Sequence, residues 1–134
     1  MTDDVPMVSF EVMPDPLLIP TVRLMLRRAL PNLGSDDDSL YFGAFTEILA
    51  NAMQAQAATP DQPVRVDLSL DARPSVSVAD NGPGLDPQAS LNPNRAGGRG
   101  NGLLIARSAC PDMLIDSSAS GTTVRLPFGP GPRR

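Results

Sequence analysis

Residues 64–71 alternate without a break: Val64, Val66, Leu68 and Leu70 take one parity, Arg65, Asp67, Ser69 and Asp71 the other. A period of two with one apolar parity marks a strand that buries one face and wets the other. Asp71-Ala72-Arg73-Pro74 reads as a turn, after which Val76 and Val78 alternate with Ser75, Ser77 and Ala79 up to Asp80. Two such strands in succession demand a sheet with one covered face, and the cover has to come from elsewhere in the chain.

Helical patterns supply it. Leu18, Val22, Met25, Leu26, Ala29 and Leu33 recur at three- and four-residue steps, with Pro20 tolerable only in the first turn and Pro31 and Gly34 closing the segment. Ser35 is a candidate N-cap for a second helix, with Asp36, Asp37 and Asp38 placing negative charge at the positive end of its dipole. That pattern runs from Asp36 to about Ala57 and stops before Thr59-Pro60, with Tyr41, Ala44, Phe45, Ile48, Leu49 and Ala52 as its apolar arc. A short helix fits from about Asn101 to Ala109. Further strands are expected at 7–12, at Met113-Leu114-Ile115, and after Gly121, where Thr122, Val124 and Leu126 share a face. The order implies an α/β arrangement of the α+β two-layer sandwich kind: a mixed, mainly antiparallel sheet covered on one face by about three helices. One domain over residues 1–126 is expected, with 127–134 as a disordered tail and no internal repeat.

Composition removes whole classes of chemistry. All 11 basic residues are Arg, and the chain holds no Lys and no His. Schiff-base lysines, the P-loop lysine, Ser-His-Asp triads, imidazole zinc sites and a phosphohistidine on this chain are therefore out. A net charge of −4 offers no basic field to nucleic acid or to an anionic membrane. The single cysteine, Cys110, forms no internal disulfide, which fits a reducing compartment. The acidic start Met1-Thr2-Asp3-Asp4 does not look like a secretory leader, and the longest apolar run is too short to span a bilayer. The expectation is a cytoplasmic protein.

Four clusters carry potential chemistry. Glu47 and Asn51 are four apart on one stripe of the second helix, at the edge of its apolar arc; two ordinary polar residues on an exposed edge would read the same way. Asp80 shares parity with Val76 and Val78, which puts a carboxylate on the helix-covered face, where it needs a donor. A cap on the turn Asn81-Gly82 accounts for it equally well. Gly82 and Gly84 let backbone approach a flat ligand, and Gly98-Arg99-Gly100-Asn101-Gly102-Leu103 leads a Gly-rich loop into a helix N-terminus, a potential anion site as well as a plain loop. Thr122 has the parity of Val124 and Leu126; its hydroxyl faces the helices, though Thr is also simply a good strand former.

Taken in order, these clusters resemble the four boxes of the GHKL (histidine-kinase-like) ATPase superfamily. Glu47-Ile48-Leu49-Ala50-Asn51-Ala52 is similar to its N box and Asp80-Asn81-Gly82-Pro83-Gly84-Leu85-Asp86 to its G1 box. Gly98-Arg99-Gly100-Asn101-Gly102-Leu103-Leu104-Ile105 is similar to its G2 box and Gly121-Thr122-Thr123-Val124 to its closing Gly-Thr strand, so the resemblance spans residues about 8 to 126. It implies a Bergerat-type ATP-binding fold with ATP and Mg²⁺ as cofactors. Larger members carry a transducer domain for which 134 residues leave no room, sensor kinases carry a phosphoacceptor His, and only 12 residues lie between Gly84 and Gly97, a short lid. The branch the chain resembles is therefore the anti-sigma-factor serine kinases.

The resemblance implies a role for each position. Asp80 would accept from the adenine amino group, with Thr122 beside it and Gly82 and Gly84 close to the base. Asn51 would hold Mg²⁺. Gly98, Arg99, Gly100, Asn101, Gly102 and Leu103 would form the phosphate-side loop and helix start. Glu47 would be the general base toward a serine of an anti-anti-sigma protein, with a sigma factor as the other partner and a homodimer as the assembly. The alternative is a nucleotide-gated regulatory binding module without productive phosphotransfer. Two departures stand out: relatives often carry a His four residues after the N-box Asn, where this chain has Ala55 followed by Gln56, and Asn101 stands between the last two G2 glycines where an apolar residue is commoner.

Overall fold

The computed structural model describes residues 7–30, 38–59, 61–70, 73–82 and 100–128. Its elements in chain order are β1 (Met7–Val12), α1 (Ile19–Ala29), α2 (Asp38–Ala55), β2 (Val64–Ser69), β3 (Ser75–Asp80), α3 (Gly100–Ala109), β4 (Leu114–Ser118) and β5 (Gly121–Pro127). The five strands form one sheet in the order β1-β2-β3-β5-β4. Every described pairing is antiparallel, so the parallel component allowed by a mixed sheet is not needed.

Parity does what the alternation predicts. Val64, Val66, Leu68, Val76, Val78, Val124 and Leu126 are buried on the helix side, while Arg65, Thr123 and Arg125 are exposed on the other. The open face is laced by polar contacts: Arg65 Nε donates to Asp67 Oδ1 at 3.0 Å and Arg125 Nε to Ser75 Oγ at 3.0 Å.

Helix α2 lies against β3, with α1 and α3 packed beside it. All six residues of its expected apolar arc are buried, and Phe42 and Met53 widen the arc because the helix has neighbours on more than one side. Arg27, in the last turn of α1, holds its guanidinium 4.4 Å from the Phe42 ring centroid, joining the two helices. Asp15 caps the short 3-10 turn Pro16–Leu18 that leads into α1, its Oδ1 accepting from Leu17 N at 3.0 Å, and Pro20 sits in the first turn of α1 as it must.

Three expectations change. The buried stripe on α1 is Val22, Leu26 and then Leu30, one residue past the helix end; Met25 and Ala29 are exposed. Four-residue steps from Val22 lead to Leu26 and Leu30, which turns Met25 off the core. The C-terminal boundary also moves: β5 includes Pro127, and Phe128 is buried, with its N–H donating to Pro74 O at 2.7 Å. Packing thus continues two residues beyond the expected end at 126. Finally, β4 runs from Leu114 to Ser118, longer than the run 113–115 read from hydropathy. The candidate caps Ser35, Asp36 and Asp37, and Leu33, lie outside the described residues. Among the described residues no helix is long and apolar enough to cross a membrane.

Candidate functional site

The helix-covered face of the sheet changes character along its strands. Val76 pairs with Leu126, then Val78 with Val124 and Val124 with Ile115, all apolar. The next row is polar across three strands: Asp80 on β3 pairs with Thr122 on β5, and Thr122 with Ser117 on β4. Asp80 and Thr122 are both buried, at 8% and 4% exposure, as parity required. Thr122 Oγ1 and Ser117 Oγ are 2.7 Å apart, and either can donate. Ser117 is the partner that parity demanded for the Thr122 hydroxyl. Hydropathy ends the strand at residue 115 and so leaves Ser117 out, although the alternation Ile115, Ser117 opposite Val124 and Thr122 carries the signal.

Asp80 serves the turn and faces the helices at once. Its Oδ1 accepts from Gly82 N at 2.8 Å, an Asx turn that starts the loop. Burial pushes its carboxyl above the usual aspartate range, and the backbone N–H groups of Gly82 and Thr122 pull it partly back. Capping therefore explains one oxygen of Asp80 without explaining why the chain places an acid in the covered row.

Two glycines make the row possible. Gly121 takes a φ of +150°, and a Cβ there would run into the Asp80 carbonyl oxygen. Gly82 packs on the end of α2: a Cβ on it would lie 2.8 Å from Ala55 O and 2.9 Å from Ala55 Cβ. The loop after β3 is thus seated directly on the last turn of α2. Next to that contact, Gln56 is fully buried; its Oε1 accepts from Asn81 N at 2.7 Å and its Nε2 donates to Thr59 Oγ1 at 2.6 Å. In the sequence Gln56 is marked only by its place at a helix end, just after the Ala55 departure from the N box.

The Ala55–Gly82 contact orients the rest of α2. Glu47, Asn51 and Ala55 are spaced four apart, so they form one stripe. At 1.5 Å per residue, Asn51 lies about 6 Å and Glu47 about 12 Å along the helix from the loop. Both are half-buried, and on α3 Leu103 is buried at 2% exposure. Gly100, Asn101 and Gly102 lie in the first turn of α3, following the Gly-rich segment as expected. Gly84, Gly98 and Arg99 lie outside the described residues.

The donor set suits an adenine nucleotide: a buried carboxylate acceptor beside a hydroxyl pair, then an amide and a carboxylate along one helix stripe. Among the described residues no cluster of three His, Cys, Asp or Glu could hold a metal alone. A divalent cation here would rely on the Asn51 oxygen, water and phosphate oxygens, a set that suits Mg²⁺.

Residues 12–128 match the family described as the histidine kinase-like ATPase domain. No curated protein matches the chain. Among solved structures, that of the RsbU and RsbW domains of Rv1364c from Mycobacterium tuberculosis is similar, with a TM-score of 0.64 and 25% identity over 91% of this chain. The match spans 32% of that longer chain. With its sheet, the three α-helices among its described residues and this match over most of its length, the chain belongs to the histidine kinase-like ATPase domain family and is an ATP-binding domain of that type.

Proposed function

We propose that this domain is a cytoplasmic, Mg-ATP-dependent protein-serine kinase of the anti-sigma-factor kind, which phosphorylates an anti-anti-sigma partner and sequesters a sigma factor. The observation that carries the reading is the polar row Asp80–Thr122–Ser117, joined through the Gly82–Ala55 contact to the stripe Asn51–Glu47. The likeness to a structure containing an RsbW domain supports the partner-switching part. The exposed Leu17, Leu24 and Met25 on and before α1 support a homodimer.

Each residue has a task. Asp80 accepts a hydrogen from the adenine amino group, which gives its placement in the covered row a partner. Thr122 holds the same edge of the base, directly or through water. Asn51 would offer a neutral oxygen to Mg²⁺, a ligand type that suits this hard cation. Backbone N–H groups at the start of α3, from Gly100 to Leu103, face the phosphates, where the helix dipole favours negative charge. Gly82 lies in the loop beside the base, and the sequence resemblance assigns Gly84, Gly98 and Arg99 to nucleotide binding as well. ATP, when bound, supplies the γ-phosphoryl group. Glu47 orients the serine hydroxyl of the partner and accepts its proton on a carboxylate oxygen.

The test combines labelled ATP with a serine-bearing anti-anti-sigma protein. Transfer to serine is expected, and Glu47→Ala should lower its rate by about 10²–10⁴-fold while leaving ATP affinity nearly intact. Asn51→Ala should remove the Mg²⁺-dependent part of ATP affinity measured by calorimetry. Tight complex formation without any transfer by the unmodified protein would replace the kinase with a nucleotide-gated binding module.

A further inference from the structure

The geometry points to Gln56 as a positioning residue for base recognition: it latches the backbone beside Asp80 to the end of α2 and so fixes the direction of the Asp80 carboxylate. The inference rests on the adenine reading of Asp80. Gln56 is fully buried, and its amide is used at both ends. Nε2 donates to Thr59 Oγ1 at 2.6 Å and, more weakly, to Thr59 O at 3.4 Å; Oε1 accepts from Asn81 N at 2.7 Å. With the nitrogen committed to Thr59, the oxygen has one orientation left, and it points at the loop.

Three constraints then act on consecutive residues. Asp80 is fixed by its ladder pairing with Thr122, Asn81 by Gln56, and Gly82 by contact with Ala55 and by its N–H to Asp80 Oδ1. Of these, only the Gln56 bond reaches the Asn81 N–H from outside the loop. Releasing it frees the peptide between Asp80 and Asn81 to rotate, and the Asx turn that aims Oδ1 rotates with it. A side chain that merely fills the helix end would stabilise the fold without affecting which base is chosen. A latch acting through Asp80 would affect that choice.

The readout is the ratio of affinities for ATP and ITP, whose base carries a carbonyl in place of the amino group that Asp80 is to receive. The wild-type domain should prefer ATP by about tenfold or more, the value of one hydrogen bond to a charged acceptor. Gln56→Leu keeps the volume, and water can reach the exposed Asn81; the preference should fall severalfold toward unity. Gln56→Asn keeps an amide but is one methylene too short to reach Asn81. It should lower the preference likewise, and it decides the matter if Gln56→Leu does not fold. In an Asp80→Asn background, neither substitution should change the ratio further.

A wild-type domain indifferent to ATP and ITP overturns both this inference and the adenine reading. A wild type that prefers ATP, with the ratio unchanged in the folded Gln56 variants, overturns the latch alone. So does a further shift in the Asp80→Asn background, since Gln56 would then act by another route.

Discussion

The two ends of the β3–β5 pair are built from the same sheet face and have opposite chemistry. At the end where Ser75 pairs with Pro127, the Phe128 ring meets Tyr41 edge-on at a centroid distance of 4.7 Å, with Phe42 also in the cluster. Polar groups there are consumed internally. Tyr41 Oη donates to Leu126 O at 2.6 Å, and burial pushes both the Tyr41 phenol and the Cys110 thiol above their ordinary values, which keeps them neutral. At the other end, two rows of valines and leucines give way to Asp80, Thr122 and Ser117. The first end maximises packing. The second places an acid where burial opposes its charge and the Gly82 and Thr122 N–H groups offset that only in part. Stability and binding should therefore respond separately to substitutions at the two ends.

The largest effect belongs to the aromatic end. Phe128→Ala removes a ring that is 4% exposed and contacts two others, and should cost about 3 kcal/mol, lowering the thermal midpoint by roughly 10 °C. ATP-over-ITP preference, measured below the new midpoint, should be unchanged. A changed preference would mean that the two ends are mechanically coupled.

Asp80→Asn should act in the reverse sense. Losing the hydrogen bond that the base donates to the charged Asp80 acceptor weakens ATP and ADP alike, by about 10–100-fold in calorimetry. Without nucleotide, the variant should be more stable than wild type at neutral pH. Burial raises the Asp80 carboxyl above the ordinary aspartate value, so between that value and the folded one the folded chain keeps a proton that the unfolded chain has released. Stability contributed by this group is thus present below that value, falls as pH rises through the folded value, and is lowest above it. The difference in midpoint between variant and wild type should close as pH falls toward the unfolded value. A variant less stable than wild type at neutral pH would show that the Gly82 N–H and Thr122 N–H outweigh burial.

Much of the polar end was readable from parity alone. Strand alternation has a period of two, so once Val76 and Val78 face the helices, Asp80 must as well; the same reasoning turned Thr122 inward. The α2 arc was equally legible, because a helix held against a sheet and two other helices has little freedom in which face it buries. What escaped depended on contacts between segments distant in sequence. Phe128 follows a proline and looks like the start of a tail until Tyr41 and Phe42 are brought to it from α2. Met25 and Leu30 exchange places because α1 ends at Ala29, and no periodicity reports which of two overlapping stripes the neighbours will choose. Gln56 matters through a bond across 25 residues of sequence to Asn81, which local pattern does not encode.

The smallest effect tests whether the hydroxyl pair belongs to the fold or to the ligand. Ser117→Ala strips Thr122 Oγ1 of its neighbour at 2.7 Å and leaves a buried hydroxyl short of a partner, a loss of about 1 kcal/mol. Thr122→Val removes the hydroxyl itself in a side chain of the same shape. The double variant has no buried orphan at either position, so it should recover most of the stability lost in Ser117→Ala. ATP affinity should not recover with it. If Thr122 holds the base edge through a hydroxyl or a water, Thr122→Val and the double variant should both bind ATP about threefold more weakly, whatever their midpoints. Affinity that instead tracks the midpoint across all three variants would assign the pair to the sheet and leave Asp80 alone to read the base.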